Sequence, residues 1–270
     1  MRRWLSAACI AGGLGLPAQA QPDMPQRVVS VNLCTDQLAL LLAAPGQVIS
    51  VSDLARDPTA SAMADQARDV PSNDGQAEQV FLLNPDLVLA GAFTAPATVQ
   101  MLRRLGIRVE VFAPDTDLQG IRDNLRRMGQ VLGRAEQAQR MIADFDAGLG
   151  SPPAGPRPRA AIYAANGYSS GSASLAGQIV AQAGFDNIAD ELGLSQGGHI
   201  PLEVLLMSRP DLLILGRRYP GHSRAEEPLD HPALRALMAQ VPVVTMSDPD
   251  WVCGTPHVLR TIAALRQARP

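Results

Sequence analysis

Four histidines, three cysteines, ten aromatic rings and the acidic side chains of several short loops are what this 270-residue chain offers for chemistry. Their spacing assembles no catalytic signature. No Gly-x-Gly-x-x-Gly run follows a strand, and no phosphate-binding loop or His-Glu-x-x-His pair occurs. The run Gly167-Tyr168-Ser169-Ser170-Gly171 is set aside as a nucleophile elbow on the ground that its serine is misplaced. Asp248-Pro249-Asp250 has the letters of a metal-binding Asp-x-Asp, but a proline turn ahead of a helix explains it. His199, His222, His231 and His257 lack the paired spacing of zinc ligands. The expectation is a protein without catalytic residues, resident cofactor or metal centre.

What remains suits binding, and the elements that would position it can be read from periodicity. Arg27–Val31, Gln47–Val51, Asp86–Ala90 and Arg108–Phe112 read as strands. Between them, Thr35–Ala44, Glu78–Leu83 and Ala95–Leu105 read as helices, an alternation that argues for βαβ units and a mostly parallel sheet. The scheme restarts with strands at Ala160–Ala164, Asp211–Leu215 and Val241–Thr245. Helices are expected at Ser174–Ala183, Val204–Met207, Pro232–Ala239 and Pro256–Ala268. From Leu118 to Leu149 apolar residues recur in steps of three and four, a helical face that Gly129 and Gly133 weaken in the middle, so two consecutive helices are expected there. Ser151–Pro158 is a proline-rich turn that ends them. The fold class is α/β: two Rossmann-like lobes, 21–115 and 159–270, joined by a helical segment over 116–158, with a ligand cleft between them.

Ligands of open parallel sheets sit at the carboxyl ends of the strands. The loops there carry Asn32, Cys34, Thr35, Asp53 and Phe93 in the first lobe. In the second they carry Asn166, Tyr168, His199, Arg217, Tyr219, Trp251 and Cys253. These twelve are the candidate ligand-binding residues. Rings on loops suit a bulky, flat, partly apolar ligand, because they add contact area at low entropic cost.

Composition narrows the partners. With 46% apolar residues the chain can build real cores, and a formal net charge of −3 excludes a phosphate-tracking basic surface. All 23 basic residues are arginine, which reads as compositional bias. Arg2 and Arg3, an apolar stretch from Leu5 to Leu16 and the small-x-small run Ala18-Gln19-Ala20 read as a secretory signal over residues 1–20, cleaved after Ala20. Cleavage removes Cys9 and leaves Cys34 and Cys253.

Residues 77–91 (AEQVFLLNPDLVLAG) and 202–216 (LEVLLMSRPDLLILG) share Glu, Pro-Asp-Leu and a final Gly at one offset, 125. With the two-lobe plan and Arg27–Gln37 (RVVSVNLCTDQ), this repeated Glu-x6-Pro-Asp-Leu segment resembles the periplasmic substrate-binding proteins of ABC importers for iron-siderophores, haem and cobalamin. The resemblance implies two lobes bridged by a rigid helix, little hinge motion, and a monomer that hands a bulky metal chelate (cobalamin, ferric siderophore or haem) to inner-membrane permease subunits. It also implies that Glu78 and Glu203 each dock to a permease arginine. Tyr168, Tyr219 and His199 are candidate axial ligands for haem, while Arg217 and Arg218 suit an anionic ferric chelate. An exported two-lobe enzyme and a direct zinc or manganese receptor are the alternatives. Cys34 and Cys253 lie on loops facing one cleft. An oxidising compartment favours a disulfide, with ligand-touching thiols or inert packing as the other readings.

Overall fold

The computed structural model describes residues 24–218, 221 and 223–270. The expected export signal, Tyr219 and His222 lie outside the described residues.

Strand β1 (Val28–Ser30) leads into helix α1 (Leu33–Leu42), whose first turn is capped by Asn32 Oδ1 accepting from Cys34 N. Next come β2 (Val48–Ser52), α2 (Ala64–Ala67), β3 (Ser72–Asn73), α3 (Ala77–Leu82), β4 (Leu87–Gly91), α4 (Pro96–Arg104) and β5 (Val109–Phe112). They form a five-stranded parallel sheet in the order β3-β2-β1-β4-β5. β1 and β4 are buried throughout, which is why they are almost wholly apolar, Ser30 being the polar exception. The order reverses between β1 and β4.

Helices α5 (Leu118–Val131) and α6 (Ala135–Leu149) follow, so the connecting segment is a packed helix pair. Gly133, at φ 70°, makes the turn between them. Gly129 does more than weaken the helix as the sequence suggests. A Cβ there would lie 2.4 Å from Ala138 Cβ, so its missing side chain is what lets α5 and α6 approach.

The second half contributes β6 (Arg159–Tyr163), β7 (Tyr168–Ser169), α7 (Leu175–Gln182), β8 (Asp186–Asn187), α8 (Ile188–Glu191), β9 (Gly198–His199), α9 (Leu202–Ser208), β10 (Leu212–Gly216), α10 (Pro232–Met238), β11 (Val243–Met246) and α11 (Val258–Gln267). Four strands form a second parallel sheet, β11-β10-β6-β8, and β7 pairs antiparallel with β9. The stretches read as plain loops at 166–170 and 197–199 therefore meet as a small ribbon.

The 125-residue repeat is a repeat of structure. It maps α3 and β4 onto α9 and β10, and Asn84 onto Arg209, both at φ 48°. In each lobe the Pro-Asp carboxylate accepts from the backbone N–H of an arginine at the start of a strand: Asp86 from Arg27 at 3.1 Å, Asp211 from Arg159 at 2.7 Å. Each arginine's guanidinium then donates to carbonyls ending the preceding helix, of Leu83 and Asn84 in one lobe and Ser208 in the other. The aspartates of the repeat thus tie strand to helix at the amino edge of the sheet, away from any ligand. One continuous core, including Leu38, Leu89, Leu125, Phe145, Ile162, Ile214 and Ile262, runs from the first sheet through α5 and α6 to the second.

Candidate functional site

The carboxyl ends of β1 and β4 diverge at the reversal of strand order, which is where open α/β sheets form a crevice. A cavity of about 240 Å³ sits there. Asn32 and Cys34 reach it from the start of α1, Ala92 and Phe93 from the loop after β4, and Asp115 from the loop after β5. Asn124 of α5 closes one side, and Val252 and Gly254 of the second lobe close the other. A second hollow, about 330 Å³, lies beside it at the ends of β2 and β3, lined by Asn32, Asp53, Leu54 and Asp74 among others.

Three contacts stitch the lobes at this seam. Cys34 and Cys253 are joined by a disulfide, S–S 2.02 Å and Cα–Cα 5.2 Å, so neither offers a free thiol. Asp115 lies against Gly254 so closely that a Cβ there would sit 2.0 Å from Oδ2. His257 Nε2 lies 3.3 Å from Met63 Sδ, and burial holds this imidazole below its usual pKa. The Asp57 carboxyl is held low first by the Thr59 hydroxyl and backbone and then, more weakly, by the charge of Arg217 in the second lobe.

Two buried carboxyls shift upward. Asp115, half-buried beside Asp117 and Asp123, is pushed to about 7 by burial, against the opposing hydrogen bond from Asn124. Asp36, fully buried in α1, is pushed to about 6 by burial despite accepting from the Ser52 hydroxyl and backbone.

Not every residue expected at the site reaches it. Thr35 is buried, with its hydroxyl donating to the Asn32 carbonyl and bonded to Ser30 Oγ at 2.8 Å, so it serves the helix start. Trp251 packs half-buried on the main core with Nε1 near Asp248, and its neighbour Val252 takes the position on the cavity. Asn166, Tyr168 and His199 group on the ribbon of the second lobe: the rings of Tyr168 and His199 meet edge to face at 5.7 Å, and His199 Nδ1 lies 3.1 Å from the Asn166 carbonyl. That carbonyl can only accept, so Nδ1 is the donor in this contact. Ser169 belongs to Gly167–Gly171, which matches Gly-x-Ser-x-Gly letter for letter, contrary to the spacing objection. The structure excludes the elbow on other grounds, because Ser169 lies in β7 with its Oγ buried and unpartnered. Among the described residues no three His, Cys, Asp or Glu side chains cluster so as to hold a metal ion.

Asp115, Asn124, Val252 and Gly254 are the residues the sequence reading missed. Asp115 was within reach, since the carboxyl-end rule extends to the loop leaving 108–112. Asn124 lies on a helix face with no sequence signal.

A profile of the periplasmic binding protein family matches residues 28–240. The chain belongs to that family. A cobalamin-binding protein of Halobacterium salinarum is 30% identical over 202 residues, 71% of this chain and 54% of the relative. The chain thus spans about half the length of the curated relatives it matches. Among solved members of similar fold are a possible iron-binding periplasmic solute-binding protein of Staphylococcus epidermidis, at TM-score 0.72 and 17% identity over 91% of this chain and 99% of the other. The periplasmic heme-binding protein of Roseiflexus superposes at 0.70 and 19% over 90% and 97%. The vitamin B12 binding protein of Vibrio cholerae superposes at 0.63 and 17% over 90% and 96%. The two-lobe architecture of the family is the one described above.

Proposed function

We propose that this protein is an exported receptor that captures a cobalt corrinoid of the cobalamin type in the cleft and delivers it to an ABC importer. The observation that carries this reading is the make-up of the cleft mouth. Leu54, Phe93 and Val252 line the two hollows from both lobes and are 54%, 87% and 55% exposed, an apolar rim suited to a large partly apolar ligand. The charged residues that line the two hollows are acidic: Asp53, Asp74 and Asp115. No basic residue lines either hollow among the described residues. A multiply anionic ferric chelate would meet repulsion there, whereas an uncharged or cationic corrinoid would not. Similarity to the Halobacterium cobalamin-binding protein supports the same choice.

Haem is the second reading, favoured by His199, whose Nδ1 is held by a carbonyl as in metal-ligating histidines and whose Nε2 is the nitrogen that would meet the iron. Export over residues 1–20 and docking through Glu78 and Glu203 complete the proposal. Both glutamates are exposed in the first turn of equivalent helices, α3 and α9, leaving the carboxylates available to permease arginines. Thermal shift of the mature chain with cyanocobalamin, haemin, a ferric hydroxamate and zinc tests the proposal. Cyanocobalamin alone should raise Tm, by linkage worth about 2.7 kcal/mol at a hundred times Kd. A haemin-specific shift lost in His199→Ala would favour the second reading.

A further inference from the structure

The cavity at the lobe seam is too small for a whole ligand. Its volume of about 240 Å³ falls below the roughly 300–1,000 Å³ of small-molecule sites, so it can admit a substituent. Its polar atoms have fixed roles. Asn32 Oδ1 accepts from Cys34 N at 3.1 Å, which sets the amide and leaves Nδ2 as a donor beside Gly91. Asn124 Nδ2 is committed to Asp115 Oδ1 at 2.8 Å and to the Ala113 carbonyl at 3.2 Å, leaving Oδ1 as an acceptor. Asp115 Oδ2, against Gly254, finds no hydrogen-bond partner among the described residues. Phe112 and Val252 supply apolar wall.

We infer that this cavity is a subsite for a primary carboxamide of the bound ligand, read by Asn32, Asn124 and Asp115. The inference rests on the corrinoid reading above and assigns part of its specificity. One N–H donor and two oxygen acceptors complement a primary amide, which presents one carbonyl oxygen and two N–H bonds. Once Asp115 is ionised, above its pKa of about 7, a carboxylate in the same place has no hydrogen to give and turns its charge toward the Asn124 and Asp115 oxygens. Sites built to pair a polar group reject an analogue that cannot pair it far more strongly than an apolar pocket rejects a change of size. The subsite therefore separates amide-bearing ligands from acid-bearing ones of the same shape. Gly254 is part of the design, since any side chain there would displace the carboxyl that reads the amide.

The test uses the mature chain, cyanocobalamin and its monocarboxylic derivatives, each with one peripheral amide hydrolysed, in equilibrium titrations at about pH 9, where Asp115, with its pKa pushed to about 7, is ionised and only accepts. At least one monocarboxylate should bind tenfold or more weakly than cyanocobalamin. In Asp115→Asn and in Asn124→Ala, each checked for an unchanged melting transition, that gap should shrink to about threefold or less. If every monocarboxylate binds like cyanocobalamin, or if the gap survives intact in both variants, the subsite is wrong while the receptor reading stands. If no corrinoid binds, the receptor reading falls and the subsite with it.

Discussion

Asp36 shows how burial acts on a single side chain. Its carboxyl is removed from water inside α1, so it holds its proton up to about pH 6 rather than the ordinary 3.8. Asp115 does so to about 7. Both folded values lie above their unfolded ones, so the folded chain binds more protons and loses stability as pH rises through them. The window opens near 4 and closes near 7. Glu110 and Glu191, held low by arginines, act the opposite way, and their contribution fades only below the ordinary carboxylate range. His257, held low by burial, acts against the two aspartates over the same interval, so urea unfolding should show a net fall in stability of at most about 2 kcal/mol from about pH 5 to about pH 8, with the Asp115 share discounted for its exposure. Asp36→Asn should flatten that slope, and a slope rising over the same interval would contradict the assignment. Residue roles were the least legible level in the sequence. Thr35 and Asn32 stand three apart on one loop in the sequence, yet one is spent inside a helix turn and the other faces the cavity. Only the start of α1, set by the Asn32 cap, separates them.

Elements were read more faithfully, for a physical reason. The central strands are apolar because both faces are covered, and the helix pair keeps its three-and-four spacing because one face meets the core. β3, β7, β8 and β9 are two residues each, too short to show any period, and only their partners in space define them. The repeat identified α3 and α9 as equivalent helices, and the structure adds that their first-turn glutamates are exposed. Glu78→Arg or Glu203→Arg should abolish uptake in a transport assay while leaving ligand affinity within about twofold and stability within about 0.5 kcal/mol, the usual range for surface changes. A loss of ligand affinity in either variant would place that helix at the cleft instead of the permease.

At the scale of the whole molecule the two lobes share one core and one covalent tie. The disulfide closes a loop across a sequence separation of 219, and the main core passes through α5 and α6 from one sheet to the other. Such a body resists wide opening, and the ligand must be met at the rim. The double variant Cys34→Ser, Cys253→Ser should lose unfolding free energy, up to about 5 kcal/mol by the chain-entropy estimate for so long a loop. An unchanged urea midpoint, or two free thiols per unreduced chain, would show that the lobes are not tied in this way. The two-lobe plan was legible because strand and helix alternation is local, whereas the seam joins residues far apart in the chain, Asp115 with Gly254 and Met63 with His257. Calorimetric titration of the mature chain with cyanocobalamin, run beside haemin, addresses the corrinoid receptor itself. One molecule should bind per chain with a Kd of about 1 μM or tighter, and haemin should not compete. Saturable haemin binding that His199→Ala abolishes, with no heat from cyanocobalamin, would contradict it.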